Sequence, residues 1–227
     1  MLNNTLTESE GEGSMKKKVL RFFILTLMAL MFVAPFAKVE TQAKRIFTGN
    51  SKVDCAAEAI ISRCTTDDMT GKEKLKACFT YLVKHMKFTW YHDGGKIKIK
   101  PTKAEKAEYK ALLKRLKASG KVEYSKKFKT HWSNLLRMHG TCYDMSGVMC
   151  ILANHLGYKA GKVTGTYLTH HGTKKLRNHW WNWVKINGKK YYCDVQGCNA
   201  GKHTAARINA YCLKRPSDKD WREHHRF

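Results

Sequence analysis

The clearest pattern of apolar and polar positions lies in the middle of the chain, after residue 140. Apolar residues recur there at intervals of three and four, which is the spacing of one continuous helical face. The residues of this face are Met145, Val148, Met149, Leu152, Ala153 and Leu156. Gly157 follows them, at the place where helices commonly end in a glycine. The pattern therefore predicts a buried helix that begins at Cys142.

A second helix is predicted upstream, where Thr70 and Glu73 form a Thr-x-x-Glu capping box. Its apolar residues also repeat at helical spacing, and they are Leu75, Cys78, Phe79, Leu82, Val83 and Met86. The helix should end near Lys87, and Asp93-Gly94-Gly95 marks a turn after it. Residues 44–64 show no clear pattern apart from two cysteines.

After the central helix the pattern changes to one that is typical of strands. Residues 158–168 are predicted as a strand and residues 169–177 as a polar loop. Residues 179–186 and 189–195 are predicted as a hairpin, because Asn187-Gly188 is a preferred two-residue turn between antiparallel strands. Helices followed by an antiparallel sheet indicate an α+β fold.

Two further regions are strongly basic. Residues 96–130 hold twelve lysines and one arginine against three glutamates, and 104–117 have a helix-forming composition. Ala111, Leu112 and Leu116 give that helix only a thin apolar edge, so we expect a solvated surface helix within a Lys-rich insertion. Residues 199–227 are polar and basic, and Tyr211-Cys212-Leu213 is the candidate for a last strand.

The N-terminus has the composition of an export signal. Met15 opens a basic start, and residues 22–37 are apolar except for Thr26. This run suits a signal peptide and is shorter than the about 20 residues of a membrane-spanning helix. We predict initiation at Met15 and cleavage after Ala43, with an uncleaved anchor as the alternative. The predicted organisation is a leader over 1–43, an N-terminal segment over 44–64 and one domain over 65–227.

The formal net charge of the 227-residue chain is +25. The predicted leader contributes little to it, because that leader holds five Lys or Arg and four Asp or Glu. Such a charge favours acidic partners, and for an exported protein we rank an anionic envelope polymer or lipid surface first. The competing explanation is solubility alone. No specific nucleic-acid partner is expected, because the chain lacks the interleaved basic and aromatic residues of recognised nucleic-acid modules.

All eight cysteines lie after residue 43, in the part of the chain that follows the predicted leader. An exported chain can form disulfides. Two of them, Cys78 and Cys150, fall on apolar helical faces and are expected in the core. The candidate bridges are Cys55–Cys64 and Cys198–Cys212. A zinc site is the less favoured alternative, and its ligands would be Cys193, Cys198, His203 and Cys212. We expect no metal and no cofactor.

Cys142 has a chemically distinctive position, because the free N–H groups and the dipole of a helix N-terminus stabilise a thiolate. The predicted hairpin supplies suitable partners for it. Its register places Trp181 opposite Asp194 and His179 opposite Gln196, so that His179, Trp181 and Asp194 share one face. His179 and Asp194 are then diagonal neighbours that a hydrogen bond can join. A slip of one residue would separate them.

These segments resemble the ordered motifs of the transglutaminase-like superfamily. Residues 140–146, followed by Leu156-Gly157-Tyr158, resemble its cysteine motif. Residues 179–184 resemble its histidine strand, and residues 188–194 resemble its aspartate strand. The helix after Thr70 resembles the leading helix of the family, so the resemblance covers roughly residues 65–215. One departure is Val195-Gln196, which stands where the family often has a proline.

The resemblance implies a papain-like core and a Cys-His-Asp triad in a secreted bacterial protein. Cys142 would be the nucleophile, His179 the base and Asp194 the group that orients the histidine. Candidate residues for the substrate cleft are Trp181, Trp183 and Tyr143. The implied reaction is attack of Cys142 on an amide carbonyl to give a thioester, which then passes to an amine or to water.

The expected substrate is therefore a protein or peptide, including a cell-wall peptide, and the expected location is outside the cell or at its envelope. The rival hypothesis is a catalytically silent module of the same fold that binds anionic wall polymers or membrane through its basic surface.

Overall fold

The computed structural model describes residues 44–90, 95–168 and 176–227. The predicted leader, most of the predicted turn at 93–95 and most of the predicted loop at 169–177 lie outside these residues. Within the described ranges, no helix is long and apolar enough to cross a membrane.

The described residues form helices interspersed with mostly short strands, followed by an antiparallel sheet. The helices are α1 (Ser51–Cys64), α2 (Gly71–His85), α3 (Lys103–Ala118), α4 (Trp132–Arg137), α5 (Cys142–His155), α6 (Val195–Asn199), α7 (Ala205–Tyr211) and α8 (Lys219–His224), with a 3-10 turn at Lys129–His131. The strands are β1 (Arg45–Phe47), β2 (Lys87–Phe88), β3 (Val122–Tyr124), β4 (His139–Gly140), β5 (Ala160–Leu168), β6 (Leu176–Ile186), β7 (Lys189–Cys193) and β8 (His225–Arg226). The predicted α+β class is confirmed.

The central helix α5 begins at Cys142, as its apolar pattern predicts. The side chain of Asp144 accepts hydrogen bonds from the backbone N–H of Thr141, at 2.9 Å, and from its hydroxyl, at 3.0 Å, which fixes the first turn. Gly140 enters this turn with a φ of 154°, and a Cβ there would lie 2.4 Å from the Cβ of Asp144. The glycine is therefore required by the way the chain enters α5.

The main sheet has the strand order β7-β6-β5-β8, and all its neighbouring strands are antiparallel. The hairpin register is the predicted one, because Asn182 pairs with Cys193 and Ile186 with Lys189. Asn187 and Gly188 both have positive φ values, of 48° and 78°, as a type I′ turn requires. One face of this sheet packs against α5.

Two strand predictions for the C-terminal third are wrong in their extent or type. β7 ends at Cys193, and α6 starts at Val195, so Gln196 does not pair with His179. The side chain of Asp194 caps α6 by accepting the N–H of Gly197, and this interaction ends the strand. Tyr211 lies at the end of α7 rather than in a strand, and the last strand is instead β8.

The N-terminal segment contains structure that its sequence pattern did not reveal. α1 is capped by Asn50, whose side chain accepts the N–H groups of Lys52 and Val53. Its buried side includes Val53 and Ile60, which join the same hydrophobic core as the residues of α2 and α5. Two of its core residues are alanines, so its apolar stripe is weak when read from the sequence.

The Lys-rich segment over residues 96–130 contains the predicted surface helix. α3 is capped by Thr102 and Glu105, and it buries only Tyr109 and Leu116. These two residues form a small cluster with Phe47 and Cys55, while the lysines of the helix remain exposed. A salt bridge from Arg63 to Glu105, with Nε 2.7 Å from Oε1, connects α3 to α1.

The cysteines are all free thiols, and the two candidate bridges are wrong. Cys55 and Cys64 lie on the same helix, where nine residues correspond to about 13 Å of rise, well beyond the reach of a disulfide. The Sγ of Cys64 instead lies 3.8 Å from that of Cys78. Cys212 interacts with Cys193 rather than pairing with Cys198. Cys78 and Cys150 are buried in the core, as expected.

Candidate active site

Cys142 is half-buried at the first position of α5, beside the end of the short parallel pair β2–β4. The N–H groups of a first helical turn have no partner within the helix, and the positive end of the dipole lies there. The thiol therefore occupies the position that the sequence predicts, at the end of the helix that favours a negative charge.

His179 on β6 and Asp194 after β7 are in direct contact. Nε2 of His179 lies 2.8 Å from Oδ2 of Asp194, and both side chains are buried. The diagonal neighbours of the predicted hairpin are thus joined as expected. The other ring nitrogen, Nδ1, is not used by Asp194, and Cys142 is close enough to the imidazole to help raise its pKa. The structure therefore brings Cys142, His179 and Asp194 together, with a hydrogen bond between the last two.

The charges of this chain stabilise one another. Burial alone would lower the pKa of His179, but the carboxylate of Asp194, together with hydrogen bonds to Asp194 and Cys142, raises it to about 10. Burial alone would raise the pKa of Asp194, but the charges and hydrogen bonds of His179 and His225 hold it well below its ordinary value. The arrangement thus favours an imidazolium between a carboxylate and the sulfur at neutral pH.

His225 is a member of this cluster that the sequence did not indicate. Its Nε2 lies 2.9 Å from Oδ2 of Asp194, the same oxygen that His179 contacts. The ring is buried and stacks on the indole of Trp221, with 3.7 Å between centroids. The one local signal was the spacing of four between Trp221 and His225, which brings two rings together on one turn.

A cavity of about 850 Å³ opens at Cys142, and we call it the Cys142 cavity. His179 lies in its wall. Other residues that line it are Phe88, Trp90, Tyr167, Arg177, Gln196, Arg207 and His224. Trp90 stands at the surface with 75% of its side chain exposed.

The three predicted cleft residues do not line the Cys142 cavity. Trp181 is fully buried, because Trp221 and His225 cover its ring. The ring of Trp183 fills the space above Gly161. Tyr143 is partly exposed, and the ammonium group of Lys162 lies 3.1 Å from the centroid of its ring. The alternation of side chains along β6 placed Trp181 and Trp183 on the correct face of the sheet, but it could not show which residues cover that face.

The candidate zinc ligands do not form a site. His203 lies on an exposed surface, where its ring contacts the carbonyl of Asn199, whereas Cys193, Cys198 and Cys212 are buried. The metal-like grouping within the described residues is His179, Asp194 and His225, whose donor atoms lie within 4.8 Å of one another. Hydrogen bonds between the carboxylate and the two rings account for that grouping without an ion.

One comparison with known protein families covers the residues of this site. Residues 95–195 match the sequence profile of the transglutaminase-like superfamily, and this range contains Cys142, His179 and Asp194. The match supports a relationship between this chain and the transglutaminase-like superfamily. That superfamily generally includes cysteine acyltransferases and peptidases. The mixed helices and strands of the structure are consistent with the α+β, papain-like core of that group.

A solved structure described as the crystal structure of a TGase is also similar to this chain. The two share 16% sequence identity, with a TM-score of 0.40. The similar region covers 63% of this chain and 32% of the other, so this chain spans about a third of that protein. No curated protein sequence matches the chain.

Proposed function

We propose that this protein is a secreted, cysteine-dependent acyl transferase or amide hydrolase that works through a thioester on Cys142. The observation that carries the proposal is the hydrogen-bonded pair of His179 and Asp194 beside Cys142, with Cys142 and His179 in the wall of one cavity. A nucleophile, a base and a group that orients the base are the components of covalent acyl transfer.

In the proposed first step, the sulfur of Cys142 attacks the carbonyl carbon of an amide. The negative charge that develops on the carbonyl oxygen is favoured near the N–H groups of the first turn of α5. His179 holds a proton on Nδ1, and it gives this proton to the leaving amine as the C–N bond breaks. The products of this step are the free amine and a thioester on Cys142.

In the second step, His179 removes a proton from an incoming amine or from water, which attacks the thioester and releases the thiol. An amine gives a new amide, and water gives a carboxylic acid. Asp194 orients the imidazole, because its carboxylate accepts a hydrogen bond from Nε2 and leaves Nδ1 for the sulfur.

The proposed substrates are proteins or peptides, including cell-wall peptides, outside the cell or at its envelope. The basic character of the chain supports an anionic location, because the net charge of +25 attracts acidic polymers. The exposed lysines of α3 supply part of that charge, and the helix has only two carboxylates, those of Glu105 and Glu108.

The experiment that tests this function incubates the protein with a peptide that contains Gln and with a primary amine, and identifies the products by mass spectrometry. We expect either an amine-peptide conjugate or a hydrolysed amide, and no product with Cys142→Ala. Cys150→Ala is the matched control, because it removes a core thiol outside the cavity and should leave the product pattern unchanged.

A catalytically silent module that binds anionic surfaces is the second candidate, and the charge favours it. It would bind vesicles of anionic lipid or wall polymer equally well in wild type and Cys142→Ala, with affinity that falls steeply as salt rises. Such binding without any product from either substrate would favour this candidate over the enzyme.

A further inference from the structure

We propose that His225 is a positioning residue of the site: it fixes the carboxylate of Asp194 so that His179 keeps its Nδ1 directed at Cys142. This inference rests on the proposed function. It assigns to the C-terminal segment, residues 219–227, a role in the chemistry that the sequence motifs do not cover.

The imidazole of His225 is held on both of its nitrogens. Nε2 lies 2.9 Å from Oδ2 of Asp194, and Nδ1 lies 3.2 Å from the carbonyl oxygen of Trp221. Both partners are hydrogen-bond acceptors, so each ring nitrogen lies against an acceptor oxygen. The indole of Trp221 lies parallel to the ring at an interplanar angle of 5°, which prevents the ring from tilting.

The fold delivers this residue by adding β8 to the edge of the main sheet. β8 pairs with β5 through Tyr167–His225 and Thr166–Arg226. The strand can approach because residue 165 is a glycine: a Cβ there would lie 2.1 Å from the backbone carbonyl oxygen of Arg226. The position of His225 is therefore set by the backbone of the sheet and not by side-chain packing alone.

His225 completes the hydrogen bonding of a fully buried carboxylate. Oδ1 of Asp194 accepts the N–H of Gly197 at 2.8 Å, while Oδ2 accepts from His179 and His225. With donors on both oxygens, the carboxylate cannot turn about its Cβ–Cγ bond without breaking a contact. Because Asp194 orients His179, a carboxylate that is held in this way keeps the histidine aligned with the sulfur.

Packing alone would favour a different residue at position 225. Trp181, Trp221 and Phe227 have ring centroids within about 6 Å of one another or of this ring, so the surroundings are aromatic. A phenylalanine would suit such surroundings without the cost of burying two polar nitrogens. The presence of an imidazole, with both nitrogens bonded, indicates that the hydrogen bond to Asp194 is what the position requires.

The test measures the rate at which iodoacetamide alkylates Cys142, read by mass spectrometry, in His225→Gln, His225→Asn and His225→Phe. The amide of a glutamine reaches the place of Nε2 and can still donate to Asp194. The amide of an asparagine reaches only the place of Nδ1, and phenylalanine keeps the stacking without any donor. Glu223→Gln, an exposed change on α8, is the control, and thermal unfolding of each variant is recorded.

We expect His225→Gln to stay within about threefold of the wild-type rate, and His225→Asn and His225→Phe to be slower by about tenfold or more. A purely structural role would instead make the rates follow the thermal stabilities. Equal rates in all three variants would overturn the inference. If His225→Phe does not fold, the comparison of glutamine with asparagine decides alone.

The same measurement separates this inference from the proposed function. If wild-type Cys142 reacts no faster than Cys142 in His179→Ala, the proposed function fails, and the role of His225 fails with it. If the wild type reacts faster than His179→Ala while the His225 variants equal the wild type, only the role of His225 is overturned.

Discussion

A buried histidine in contact with a carboxylate lies at each end of α5, and the two differ in what the second ring nitrogen faces. His155 is the last residue of the helix, and His179 lies on β6 beside its start. At the C-terminal end, His155 places Nε2 3.0 Å from Asp54 and Nδ1 2.7 Å from Glu58. Arg45 binds Glu58 in turn, and Asp54 also accepts from Thr48. Both nitrogens of His155 are therefore occupied by structural partners.

At the N-terminal end, His179 gives only one nitrogen to a carboxylate, and the other remains for a thiol at a cavity wall. Burial and carboxylate partners are thus common to both histidines and do not identify a reactive site. What distinguishes His179 is a ring nitrogen that reaches a nucleophile and a space large enough for a substrate beside it.

The largest effect is expected from removing the imidazole of His179, the ring that lies beside the thiol. We expect His179→Gln to lower product formation by about a thousandfold, because glutamine can neither take nor release the proton of the thiol and amine. Turnover is measured with the peptide and amine substrates under saturating conditions. A loss of less than tenfold would show that His179 does not act as the base.

The matched change at the other end of the helix is His155→Leu, which keeps a side chain of similar size and leaves the carboxylates of Asp54 and Glu58 without the imidazolium. We expect it to lower the free energy of unfolding by about 3 kcal/mol, because it leaves the buried carboxylate of Asp54 without its charged partner. Chemical denaturation measures this loss. Activity per folded molecule should change by less than about threefold, and a large change would mean that the two ends of α5 are coupled.

A smaller effect concerns pH. The pKa of His179 is raised from its ordinary value of 6.5 to about 10, so its contribution to stability is fully present below about pH 6.5 and disappears as pH rises to about 10. One proton changes the free energy of unfolding by at most about 1.4 kcal/mol per pH unit. Unfolding free energies measured between pH 7 and pH 10 should therefore decline, and His179→Gln should flatten this decline. An equal slope in both proteins would contradict the assignment.

The parts of the molecule that depend on local sequence were predictable. The apolar spacing of α5 and the Asn187-Gly188 turn act over a few residues, so they gave the helix start at Cys142 and the hairpin register correctly. The contact between His179 and Asp194 followed from that register. α1 was missed although Asn50 caps it, because alanines are three of its eight buried residues and give little periodic contrast.

The parts that depend on distant contacts could not be predicted. The face of Trp181 was correct, but the segment that covers it, α8 and β8, is about forty residues away and has no apolar pattern of its own. For the same reason His225 and the cavity residues Tyr167, Arg207 and His224 were missed. The resemblance to the transglutaminase-like superfamily predicted that Cys142 lies beside His179 and Asp194, which residue spacing alone could not predict.

The docking of β8 on β5 has a consequence for the order in which the molecule acquires its chemistry during refolding. α5 and the hairpin depend on contacts between near neighbours in the chain, whereas β8 must return over about sixty residues to pair with Tyr167. The helical signal should accordingly recover before the thiol becomes fully reactive. An intermediate in which α5 is ordered but His225 does not yet contact Asp194 would show the native helical signal. Its thiol would still react slowly.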